Sequence, residues 1–184
     1  MRKLAGALVA LALFACGEEK STGPGAQSPS GGTTTSGSTA SDFTARDIDG
    51  KTVKLSEYLG KNAILLNFWA TWCEPCVAEF PHLRRMYDAN KTKGLVILGV
   101  AMDGPESIAN VAPFARRQQL NFPVLLDEDS HVASLYNPKK SAPLSVLIDK
   151  QGRIVKVREG YNPGDEDFLA QDVAKMLDGS AAAQ

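Results

Sequence analysis

A short apolar run, Ala63–Phe68, broken only by Asn67, is followed five residues later by Cys73-Glu74-Pro75-Cys76, and a helical pattern begins at once. A continuous apolar run of this length implies a strand covered on both faces. Val77, Phe80, Leu83, Met86 and Tyr87 recur at three- and four-residue spacing and stripe one face of a helix. The two cysteines are therefore expected at a strand-to-helix junction. Pro81 inside the pattern predicts a kink. Leu95–Met102 is a second run of the same kind, so the segment reads as strand, helix, strand, with helices needed to cover the sheet.

The flanking pattern extends this core. Phe43–Ile48 and Lys51–Leu55 bracket Asp49-Gly50, a hairpin turn signal, and a short helix is expected over Ser56–Leu59. A helix over Glu106–Gln119 with Ile108, Val111, Ala112 and Ala115 inward, a strand over Phe122–Leu126 and a short helix over Ser130–Tyr136 come next. Leu144–Asp149 and Ile154–Arg158 form a second hairpin, and Glu166–Leu177 a closing helix. The expected fold is α/β: a central mixed β-sheet flanked by helices on both faces, with an N-terminal β-hairpin extension. With 20 basic against 21 acidic side chains, the net charge of −1 supplies no field for nucleic acid. Three cysteines are too few for a disulfide-built scaffold.

The first residues belong to another class. Arg2 and Lys3 precede eleven apolar or Gly residues, Leu4–Phe14, and the run stops at Cys16. That is a secretory signal rather than a membrane span, which needs about 20 apolar residues. Leu13-Phe14-Ala15-Cys16 resembles the lipobox of bacterial lipoproteins, in which the Cys becomes the first mature residue and carries lipid. The Ser, Thr, Gly and Pro that dominate the next stretch cannot repay the entropy of ordering. The chain is thus divided into a signal peptide over residues 1–15, a lipid-anchored flexible linker over 16–41, a folded domain over 42–178 and a flexible tail over 179–184.

The C-x-x-C pair carries the chemistry. Unpaired amides and the positive dipole end at a helix start stabilise a thiolate at Cys73, and Cys76, one turn on, can resolve a mixed disulfide. A zinc site would need four ligands, and beyond these two cysteines and Cys16 only His82 and His131 remain. A bridge closing so short a loop adds little stability, which disfavours a purely structural disulfide. Both histidines read as exposed helix residues, Asp103-Gly104-Pro105 as a turn, and Lys139-Lys140 as a solvated loop. Trp69 and Trp72 read as packing and contact residues.

Asn67 through Cys76, NFWATWCEPC, resembles the active-site segment of thioredoxin-fold proteins, specifically the exported TlpA and ResA group. The resemblance covers residues 42–178, giving a thioredoxin-like domain. Pro81 matches that fold's helix-kinking proline, and Ala142-Pro143 its loop with a cis proline facing the disulfide, whose preceding residue can pair with a substrate strand. Where thioredoxins have a buried Asp six residues before the first Cys, this chain has Asn67, and the TlpA and ResA group implies Glu79 as the replacement near the thiols. Glu74, inside the motif, adds negative charge beside Cys73 and disfavours its thiolate, making the pair a better reductant.

The expected site is therefore catalytic Cys73, Cys76 and Glu79, supported by Trp72, Glu74, Pro75, Ala142 and Pro143, with no metal or cofactor. The resemblance implies an extracytoplasmic, membrane-anchored monomer that reduces protein disulfides, including the C-x-x-C-H cysteines of apocytochrome c. A membrane thiol reductase of the DsbD or CcdA type would be its electron donor. Two alternatives remain at this stage. A peroxiredoxin would carry P-x-x-x-T-x-x-C, but Trp69 and Ala70 occupy the Pro and Thr positions. A copper-binding assembly factor of the Sco type would carry C-x-x-x-C and a distant His, for which His131 is available.

Overall fold

The computed structural model describes residues 37–180; the signal segment, Cys16 and most of the expected linker lie outside the described residues. One seven-stranded sheet organises the chain: β1 (Thr44–Asp47), β2 (Thr52–Lys54), β3 (Ala63–Trp69), β4 (Leu95–Ala101), β5 (Val124–Leu126), β6 (Leu144–Ile148) and β7 (Ile154–Glu159). Their spatial order is β2-β1-β5-β4-β3-β6-β7. β3, β4 and β5 run parallel, with β6 antiparallel to β3 and β1 antiparallel to β5. The sheet is mixed, as its sequence pattern requires, and the N-terminal hairpin β1–β2 extends one edge. All seven residues of β3 are buried, which is why its sequence is apolar on both faces.

Alternation along β3 sorts its side chains into two layers. Ala63, Leu65 and Trp69 pack with Phe80, Leu83 and Met86 of α1 (Glu74–Asn90), with Val111 and Ala115 of α2 (Ile108–Arg117), and with Leu169, Val173 and Met176 of α4 (Asp165–Leu177). Ile64, Leu66 and Phe68 face the other side, where α3 (His131–Tyr136) supplies Val132, Ala133 and Tyr136, and the hairpin region supplies Phe43, Val53 and Leu55. Helices cover both faces. Trp69 is fully buried, its ring edge-on to Phe80 at 5.2 Å and stacked on Phe114 at 5.8 Å. Gly99 makes room for it, since a Cβ there would lie 3.1 Å from Trp69 Nε1.

Several elements differ from expectation. The short helix after β2 is a 3-10 turn at Leu55–Glu57. α2 starts at Ile108 because Gly104 accepts both the Ser107 and Ile108 amides, which makes a turn of the residues ahead of it. β5 is trimmed to Val124–Leu126, and the helical assignment of α1 runs on through Pro81, which contains no amide to bond back to Val77. The end of the expected linker is ordered. Gly37 N–H donates to Ile154 carbonyl at 2.6 Å, Ala40 N–H donates to Gly152 carbonyl at 2.8 Å, and the Tyr136 hydroxyl donates to the Ser41 carbonyl. Residues 37–41 therefore pack onto the domain ahead of Asp42, through backbone pairing that small polar side chains do not advertise.

Candidate active site

β3 ends at Trp69, and a three-residue loop, Ala70–Trp72, carries the chain to α1. Cys73 is the N-cap of α1, in extended backbone, and its Sγ accepts the Cys76 N–H at 3.2 Å. Glu74 and Pro75 occupy the first two helical positions, where a proline's missing amide is no loss and its fixed φ suits the helix. Cys73 and Cys76 form a disulfide with a Cα–Cα distance of 5.3 Å. Neither sulfur-bearing residue is freely exposed: Cys73 retains 4% of its surface and Cys76 none. Access to the pair thus opens on the Cys73 side. Trp72, 68% exposed, stands next to it.

Below the disulfide, the sheet-facing side of α1 carries Glu79, 5% exposed. Asn67 Nδ2 donates to Glu79 Oε2 at 3.0 Å and to Ser145 Oγ at 3.2 Å. The register explains the meeting: Asn67 of β3 lies opposite Ser145 of β6, and Leu65, Asn67 and Trp69 point toward the α1 layer. Burial pushes the Glu79 carboxyl up to about 7; the Asn67 hydrogen bond opposes this, and the charge of Asp165 adds to it. A carboxyl so placed can hold or release a proton near neutral pH.

The loop ahead of β6 closes the site. The Ala142–Pro143 peptide is cis, Pro143 is buried, and Ala142 packs against the same apolar cluster as both cysteines. Asn137, 1% exposed, braces this loop by donating from Nδ2 to the Ser141 carbonyl at 2.7 Å and accepting the Ser141 N–H at 2.9 Å. Glu159 accepts the Ser141 hydroxyl at 2.6 Å. The structure thus brings Cys73, Cys76, Glu79 and Ala142 to one apolar layer, with Glu74 and Trp72 on its exposed side.

His82 differs from its reading as a free surface residue: its Nδ1 lies 3.5 Å from Glu166 Oε1, and its ring 6.1 Å from that of Tyr161. His131 is exposed at the start of α3, on the opposite face of the sheet from α1. Among the described residues no group of three His, Cys, Asp or Glu side chains is arranged to hold a metal ion.

Sequence reasoning missed four buried polar residues around this end of the sheet. Ser145 and Asn137 serve as just described. Asp127 caps α3, accepting the Val132 and Ala133 amides at 2.8 Å each. Asp103, read as part of a turn, is fully buried and accepts both the backbone N–H and the hydroxyl of Thr71. The one signal available was position: Asp103 directly follows an apolar strand and lies level with the C-x-x-C loop.

The AhpC/TSA family profile matches residues 36–157. The chain is 36% identical over 125 residues to the thiol-disulfide oxidoreductase ResA of Bacillus thuringiensis subsp. konkukian, spanning 67% of this chain and 70% of that one. It is 41% identical over 114 residues to ResA of Bacillus subtilis, covering 62% of each. Among solved structures, a Chlorobium tepidum protein described as a thiol:disulfide interchange protein DsbE superposes with TM-score 0.73 at 31% identity, over 79% of this chain and 99% of that one. The exposed lipoprotein thioredoxin Etrx1 of Streptococcus pneumoniae gives 0.63 at 29% identity, over 73% and 99%. With a strand-to-helix C-x-x-C disulfide in a mixed sheet of this order, the chain belongs to the AhpC/TSA family and is a TlpA/ResA-like thiol-disulfide oxidoreductase of the thioredoxin superfamily.

Proposed function

We propose that this oxidoreductase works outside the cytoplasm, held to a bacterial membrane by lipid on Cys16, and that it reduces disulfides in protein substrates. The observation that carries the direction is the acidic side chain beside the pair, Glu74 at the first helical position. Negative charge beside Cys73 disfavours its thiolate, and a less stable thiolate favours the disulfide, so the reduced enzyme is the better donor. A lipobox-like Cys16 and a lipoprotein among the structural neighbours support the anchor. Among the described residues no helix is long and apolar enough to cross a membrane.

In the reaction so read, the Cys73 thiolate attacks one sulfur of a substrate disulfide, and the displaced substrate thiolate takes a proton. Glu79 accepts the Cys76 proton. The Cys76 thiolate then attacks Cys73 Sγ, forming the enzyme disulfide and expelling the second substrate thiolate, so that two electrons pass to substrate. Trp72 and the backbone of Ala142 beside Pro143 offer the contact surface for the substrate segment. The C-x-x-C-H cysteines of apocytochrome c are the proposed substrate class. A membrane thiol reductase of the DsbD or CcdA type restores the dithiol, and the enzyme acts as a monomer without a cofactor. The peroxide reading loses its support at the positions ahead of Cys73, which hold buried Trp69 and Ala70 in place of Pro and Thr. The copper reading loses its distant ligand, because His131 stands across the sheet from α1.

Two measurements test the proposal. Equilibration of the purified domain with glutathione should give a potential more reducing than about −220 mV, the upper end of the cytosolic glutathione range; a value near the roughly −120 mV of a strong oxidant would reverse the direction. In cells, Cys16→Ala should move the protein from the membrane to the soluble fraction and weaken substrate reduction, while the purified domain's potential stays unchanged. Retention of the variant in membranes would remove the anchor.

A further inference from the structure

Asp103 is a fully buried carboxylate that the reaction above does not use. Its Oδ2 accepts the Thr71 N–H at 3.0 Å and its Oδ1 accepts the Thr71 hydroxyl. Among the described residues no basic side chain forms an ion pair with it. Burying a carboxylate is unfavourable unless its oxygens are hydrogen-bonded, and an apolar side chain of similar volume usually serves stability as well or better. The residue it grips is the reason to look beyond stability. Thr71 lies in the loop that delivers Cys73, two residues ahead of it.

Besides the buried Ala70 side chain, the loop is anchored by two backbone hydrogen bonds. Met102 N–H donates to the Trp69 carbonyl at 2.9 Å, which ends the β3–β4 pairing, and Cys73 N–H donates back to Ala70 carbonyl at 3.1 Å. Trp72 is 68% exposed and gives the loop little packing. In the oxidised protein the disulfide itself also holds Cys73 to α1. In this oxidised structure the Cys76 amide lies 3.2 Å from Cys73 Sγ; once the disulfide opens, the loop is what remains to keep the sulfur near that amide.

We propose that Asp103 is a positioning residue for Cys73: through Thr71 it fixes the β3–α1 loop when the disulfide opens, so that the Cys73 sulfur keeps the Cys76 amide as its donor. This rests on the redox role assigned above. The tie acts on the reduced form most, because the oxidised form has a covalent brace as well. Losing it lowers the thiolate fraction of Cys73 and moves the dithiol–disulfide equilibrium toward the disulfide.

The test uses the purified domain and three variants, with the Cys73 alkylation rate followed against pH and the equilibrium read against glutathione. Thr71→Val removes the hydroxyl, keeps the amide and the shape, and changes no charged group, so Glu74 and Glu79 on α1, Asp103 after β4 and Asp165 on α4 all stay in place. It should slow alkylation at pH 7 at least threefold and shift the glutathione equilibrium toward disulfide by a similar factor, and Thr71→Ser should restore both. Should Thr71→Val fail to fold, Asp103→Asn carries the same readouts with the sign as the discriminator. Loss of the tie slows alkylation, whereas loss of a negative charge alone speeds it. Wild-type titration and equilibrium in Thr71→Val, no rescue by Thr71→Ser, or faster alkylation in Asp103→Asn would each overturn the proposal. A wild-type disulfide that does not exchange with glutathione at all would instead defeat the redox role, and this inference with it.

Discussion

Replacing Glu79 by Gln should flatten the pH dependence of stability, because the carboxyl is held in a site that resists its charge. Burial moves it from an ordinary 4.5 to about 7, so the folded protein keeps a proton that the unfolded chain releases. The stabilisation is fully present below about pH 4.5 and is lost as pH rises through about 7. Over that interval, at about 1.4 kcal/mol per pH unit, the loss amounts to ~3 kcal/mol. Gln fills the same volume and cannot ionise. The assay is urea unfolding of the oxidised domain, in which neither cysteine titrates, at intervals from pH 4.5 to 8. The stability of the variant minus that of the wild type should climb by up to ~3 kcal/mol across the range. A difference that stays level to within about 0.5 kcal/mol, the usual scatter of surface substitutions, would refute the buried-carboxyl argument and leave Glu79 without a proton role.

Two further outcomes follow from the geometry. Cys76→Ser should accumulate a mixed disulfide with substrate on Cys73, visible on non-reducing gels and released by reductant, since no thiol remains to resolve it; Cys73→Ser should not, and equal trapping by both variants would reverse the assigned roles. Gly99→Ala should destabilise the domain by about 1–3 kcal/mol in urea unfolding, because the added Cβ would lie 3.1 Å from both Trp69 Nε1 and Phe122 Cε2; an unshifted midpoint would show that those rings give way freely.

Periodicity and local turn chemistry made most of the architecture readable. β3 and β4 stand out as buried runs, the C-x-x-C marks the start of α1, and Asp49-Gly50 marks the hairpin. What stayed hidden depends on partners distant in the chain. Asp103-Gly104-Pro105 has the local composition of a turn, and nothing in it reveals that Asp103 meets Thr71 from 32 residues away. Ser145 sits in an apolar strand and looks incidental until the β3–β6 register sets it opposite Asn67. Residues 37–41 dock through backbone amides and carbonyls, which any sequence possesses, so composition read them as linker. His82 looked like a surface residue because, apart from its helix neighbour Arg85, its contacts Glu166 and Tyr161 come from the far end of the chain.

Asn67 departs from the thioredoxin pattern, and a carboxyl still reaches it from a different element. In thioredoxins the buried ionisable group comes from the strand, six residues ahead of the first cysteine, and a reading confined to that position would find an amide and no proton acceptor. The sheet alternation sends Asn67 toward the α1 layer with Leu65 and Trp69. Glu79, one turn beyond Cys76, faces the sheet from the other side, and the two meet at 3.0 Å. The carboxyl therefore lies in the α1 layer and arrives on the helix that Cys73 caps and that carries Cys76. Asn67 then has a different task, holding one carboxylate oxygen in either protonation state, since Oε2 can accept from its amide whether or not Oε1 bears a proton. Because Glu79 and Cys76 share one rigid turn of α1, their separation does not depend on how α1 sits on the sheet. A strand-borne acid lacks that property.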